Sequence, residues 1–119
     1  MSNMKFEFSS HSVNVEIAGE TYAADCSTEA QAFIRAQNEK AKSVIEAIKQ
    51  GEQDAQAAIA VYKTTLDRVL GDGAIDRIFA GREMSADDVV DLALFIRDVY
   101  VKYNEDTQRR IAGTSKKKK

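Results

Sequence analysis

The chain has 119 residues and a mass of 13.2 kDa; 44% of its residues are apolar and 30% are charged. A folded body of that mass exposes roughly 6,400 Å² of the about 19,000 Å² of the extended chain, so about two-thirds is buried, enough for one core and not for two domains. No apolar run approaches the roughly 20 residues of a membrane span, and a single cysteine excludes an intramolecular disulfide framework and fits a reducing compartment.

The net charge of -2 is unevenly spread. Lys116, Lys117, Lys118 and Lys119 are four of the 17 bases, so residues 1–115 carry 13 bases against 19 acids, a net of -6. An acidic body repels phosphate backbones and argues against a nucleic-acid-binding surface.

The opening MSNMKFEFSS has no apolar h-region, so no secretory signal is expected. Met4, Phe6 and Phe8 alternate with Lys5 and Glu7, and Val13, Val15 and Ile17 alternate with Asn14 and Glu16, the period of two that marks strands. Turns at 9–12 and 18–20 and a third short strand at 21–26 complete an antiparallel meander over 4–26, apolar on one face. At Ser27 the period changes. Ser27 or Thr28 supplies an N-cap, and Ala30, Phe33, Ile34, Ala41, Val44, Ile45 and Ile48 predict a helix over 28–50 that stops at Gly51. Ala55, Ile59, Tyr62, Leu66, Val69 and Leu70 predict a second over 53–70, ended by Gly71 and Gly73. Ile75, Ile78 and Phe79 face inward from a short third helix over 74–80. Ser85-Ala86-Asp87-Asp88 approximates a capping box, with Met84 and Val89 as its hydrophobic staple. Behind it Val89, Leu92, Ala93, Ile96, Val99, Tyr100 and Tyr103 predict a fourth helix over 86–110. The lysine-rich segment 113–119 is expected to be disordered.

The predicted fold class is therefore α+β: a small N-terminal antiparallel β-sheet of two or three strands packed on a bundle of three or four helices. One domain spans 1–112, with strands in 4–26 and helices in 28–110. Phe6, Phe8, Val15, Ile17, Phe33, Ile45, Ile59, Leu66, Ile78, Leu92 and Ile96 are the expected core.

Chemistry-bearing residues are few. His11 and Cys26 stand in no metal-ligand spacing and read as an exposed turn residue and a small buried hydrophobe. Asp87, Asp88 and Asp91 suit a helix start. The glycines at 71 and 73 complete no nucleotide-binding motif. No catalytic, metal or cofactor site is expected, and no enzymatic activity. What remains is surface. Val89-Val90, Phe95-Ile96 and Val99-Tyr100-Val101 make the last helix apolar over a wider arc than one packing face needs, and such a stripe either wraps a deep core or offers a face to a partner. Val90, Phe95, Tyr100, Val101 and Tyr103 are the candidate partner-binding residues. The same wide stripes, with an open sheet edge, predict self-association into an oligomer.

Three stretches carry a resemblance to a family: the β-rich opening MKFEFSSHSVNVEIAGETYAADCS, the central acidic helices, and SADDVVDLALFIRDVYVKYNEDTQRR. Together they make the whole chain similar to the small tail assembly chaperones of long-tailed, siphophage-type bacteriophages and related prophages, in their short, unshifted form. The resemblance implies a non-enzymatic protein that binds the tape measure protein, and the tail tube protein as a second partner, and keeps the former soluble during tail assembly. It further implies residence in the cytoplasm of the bacterial host and absence from the mature virion. The terminal lysines fit either a solubilising tail or the A-rich run at which such genes shift frame. Two other functions are compatible with the residues: a structural minor tail or connector component of the virion, and a small nucleic-acid-binding regulator using Arg109, Arg110 and the four terminal lysines.

Overall fold

The computed structural model describes Met4 and residues 11–117. Apart from the exposed Met4, the expected strand over 4–8, with Phe6 and Phe8 of the expected core, lies outside the described residues. Two strands, β1 (Ser12–Ile17) and β2 (Glu20–Asp25), pair antiparallel with Val15 opposite Tyr22 and Val13 opposite Ala24. Ala18 and Gly19 join them with φ of 53° and 83°, the positive values that tight hairpin turns need to match the strand twist. The inward residues Val15, Tyr22 and Ala24 are buried. This small sheet packs against four helices, α1 (Thr28–Lys49), α2 (Ala55–Leu70), α3 (Ala74–Ile78) and α4 (Ala86–Lys117).

Local backbone chemistry sets the helix ends. The Ser27 hydroxyl accepts the Ala30 N–H at 3.2 Å to open α1. At its other end Gly51, at φ 78°, donates its N–H to Ile48 and Glu52 donates to Ala47, a Schellman closure in which the left-handed residue suits glycine. Asp54 caps α2 through the Gln56 N–H. Ser85 caps α4 by accepting the Asp88 N–H, and half-buried Met84 and fully buried Val89 flank it.

Four helix ends differ from expectation: α1 stops at Lys49 rather than 50 and α2 begins at Ala55 rather than 53. α3 stops at Ile78 rather than 80. α4 runs to Lys117, seven residues past the expected end and into the segment expected to be disordered. A lone Gly113 costs a helix only about 1 kcal/mol, no proline follows it, and a run of bases at a C-terminus suits the helix dipole.

The core lies where the hairpin, α2, α3 and the first half of α4 meet; Leu66, Val69, Ile75, Val89 and Ile96 are its deepest large side chains. All four tyrosines of the chain gather here: Tyr22 and Tyr100 are buried, and Tyr62 and Tyr103 pack against the cluster. Of the expected core, Val15, Ile59, Leu66, Ile78 and Ile96 are buried, and Ile17, Phe33 and Leu92 half-buried. Ile45 is a correction. It is 37% exposed, because the second half of α1 extends past the core. The accessible surface, 8608 Å², is about a third above the compact expectation. The radius of gyration, 18.1 Å, likewise exceeds the roughly 13.5 Å of a compact chain of this length. A helix of 32 residues reaches about 48 Å and cannot be covered along its length by so short a chain.

Candidate interaction surface along α4

α4 is held in place by one polar knot. The Tyr100 hydroxyl donates to the backbone carbonyl of Asp25. The Asp25 carboxylate accepts the Ser27 N–H at 2.9 Å and the Arg68 guanidinium at 2.8 Å. Residues at the end of β2, the last turn of α2 and the middle of α4 thus meet beside buried Cys26. Arg68 beside Asp25 holds its carboxyl below the usual range, and Asp25 in turn raises Arg68. Burial pushes the Cys26 thiol up to about 11 and the Tyr100 phenol higher still, so both are neutral at ordinary pH and neither is a reactive nucleophile.

With Tyr100 pinned, α4 presents two flanks. On one, Ile34 and Asn38 of α1 face Val90, Leu94, Arg97 and Val101 of α4 across a slot of about 320 Å³ floored by Tyr62, Thr65 and Leu66 of α2. One end of the slot is tied by Gln31 and Asn104, whose side-chain amides exchange hydrogen bonds of 3.2 and 3.0 Å. On the other flank Val13 of β1 faces Phe95, Val99 and Tyr103 across a second groove of about 320 Å³, rimmed by Asp98, Lys102 and Asp106. There the Tyr103 hydroxyl lies 3.1 Å from Nδ1 of the exposed His11.

The five residues singled out from the sequence therefore do not form one patch. Val90 and Val101 line the slot beside α1, Phe95 and Tyr103 the groove beside β1, and Tyr100 belongs to the core with only an edge in the slot. Phe95 and Val101 are 41% and 50% exposed. Leu94, 42% exposed, is a member of the surface that the periodicity argument passed over. Its signal was present: it stands one turn beyond Val90 and two turns before Val101. The α1 wall and the Tyr62 floor carry no such signal, since they meet α4 only through tertiary packing.

Among the described residues no group of three or more His, Cys, Asp or Glu side chains is placed to hold a metal ion, and no helix is long and apolar enough to cross a membrane. Comparison of the chain with protein-family models, curated proteins and solved structures found no match.

Proposed function

We propose that this protein is a non-catalytic assembly chaperone that grips an amphipathic helix of a long helical client in the groove between β1 and α4. The observation that carries the reading is Phe95. It is a large aromatic left 41% exposed on a well-anchored helix, beside Val13, Val99 and Tyr103. Aromatic anchors of this kind dominate helix-in-groove contacts. The rim is acidic on balance: Asp98 and Asp106 against Lys102, which lies 3.8 Å from Asp106. A client helix with a basic edge fits it, steered by charge and held by apolar contact. The sequence resemblance to tail assembly chaperones names the client as the tape measure protein and the setting as the bacterial host cytoplasm, with the chaperone left out of the finished particle.

The test is co-expression with the product of the longest neighbouring gene. Wild-type chain raises the soluble fraction of that protein and co-purifies with it, whereas Phe95→Asp folds normally and does neither. No association with the wild type, or recovery of the chain in purified particles, overturns the proposal.

A further inference from the structure

The slot flank of α4 is a second surface, independent of the β1-side groove. Leu94 and Val101 stand seven residues apart, on one line of the helix, and are 42% and 50% exposed. Val90 stands one turn before Leu94 on the same wall of the slot. Heptad spacing of this kind is how two helices meet along a seam. Val90, Leu94 and Val101 make an apolar row about 16 Å long on the α4 wall of the slot.

The charges along α4 say what lies against it. In residues 86–98, Asp87, Asp88, Asp91 and Asp98 outweigh Arg97, a net of -3. In residues 99–110, the stretch that an antiparallel copy lays against residues 85–96, Lys102, Arg109 and Arg110 outweigh Glu105 and Asp106, a net of +1. The helix dipole has the same sense as this division only in its compensation, with acids at the positive end and bases at the negative. A parallel neighbour of the same sequence would set like charge against like along its whole length. An antiparallel copy sets the acidic half against the basic half twice over. A two-fold axis beside Arg97 and Asp98 also lays Leu94 on the partner's Val101 and Val101 on the partner's Leu94, the self-complementary arrangement of an isologous dimer.

We propose that two copies of this chain pair antiparallel through the Leu94–Val101 face of α4, covering the slot beside α1. The pairing leaves Phe95 and Tyr103 on the opposite flank open, so it neither requires client binding nor competes with it.

Sedimentation equilibrium of the purified chain, alone and at micromolar concentration, tests the proposal. Wild type sediments as a dimer. Val101→Asp, at a half-exposed position, keeps the helical circular dichroism and thermal melt of the wild type and sediments as a monomer. Asp87→Lys/Asp91→Lys weakens association at least tenfold, as does Arg109→Glu/Arg110→Glu. An equimolar mixture of these two variants associates again, because each mixed pair restores both opposite-charge contacts. A monomeric wild type overturns the proposal, and so does a Val101→Asp dimer. Failure of the mixture to associate overturns the antiparallel arrangement. Because no client is present, these outcomes are independent of the co-expression result.

Discussion

α1 and α2 are neighbours with similar apolar periodicity and opposite fates. α2 has 16 residues and buries seven of them, including Ile59, Leu66, Val69 and Leu70. α1 has 22 residues and buries two, both alanines. α2 is covered by the hairpin, α1, α3 and α4, and α1 chiefly by α2. An apolar stripe therefore states a capacity for burial, and the number of elements that come to cover it decides how much of that capacity is used. Much of α1 and α4 is left with apolar side chains half in water, and the interaction surfaces are made of that remainder.

The comparison can be broken most sharply by truncation. Leu66→Ala in α2 should cost about 3–5 kcal/mol and Ile96→Ala about 2–4 kcal/mol, read from urea melts, since both side chains are almost fully enclosed. Phe33→Ala in α1 should cost about 1–2 kcal/mol, because that side chain is only partly buried. Ile45→Ala should cost below about 0.5 kcal/mol, within the range of ordinary surface substitutions. Equal losses at Leu66 and Ile45 would erase the distinction between the helices.

The polar knot sharpens it next. Asp25→Asn removes the charged partner of Arg68 and should cost about 1–2 kcal/mol, the bond being partly exposed. Asp25 has a lowered pKa in the fold, so its contribution is present above the unfolded carboxyl range and is lost as pH falls through the folded value. Asp25→Asn should therefore flatten the acid limb of the stability profile. The alkaline limb runs the other way. Cys26 and Tyr100 have raised values in the fold, so the unfolded chain loses these protons first and stability falls as pH rises above about 9. Cys26→Ala should remove the part of that fall between about 9 and 11, measured by urea melts across the range. A gain rather than a loss is expected at Ala18, the non-glycine residue held at φ 53°. Ala18→Gly should stabilise the hairpin by about 0.5–1 kcal/mol, seen as a rise in the thermal midpoint.

What the sequence makes legible is local backbone chemistry. Ser27, Gly51 and Ser85 mark helix ends because the cap and the left-handed residue act within a few positions of themselves. The strand alternation from Val13 to Ile17 is legible for the same reason. Ile45 shows where this reading stops: its spacing is that of a core residue, and only the absence of a covering element exposes it. The Asp25–Arg68 and Asp25–Tyr100 contacts join residues 43 and 75 positions apart, and no short-range pattern encodes them. Tyr100 illustrates the consequence at the candidate surface. It belongs to the same apolar run as Val99 and Val101, yet its hydroxyl finds a carbonyl and it joins the core while Val101 faces out. The length of α4 is illegible for a related reason: a run of lysines by itself spells disorder, and only the helix already running toward it carries the backbone on to Lys117.

The gathering of Tyr22, Tyr62, Tyr100 and Tyr103 at the junction of hairpin, α2 and α4 has an optical consequence. The chain has no tryptophan, so its emission on excitation beyond the phenylalanine absorption band comes from these four rings. The distal halves of α1 and α4 are silent in that signal. An occupant of the β1-side groove would touch Tyr103 directly, and one in the slot would touch Tyr62. Comparing the emission of the wild type with that of Tyr62→Phe and Tyr103→Phe would report which flank has been filled, with no external dye.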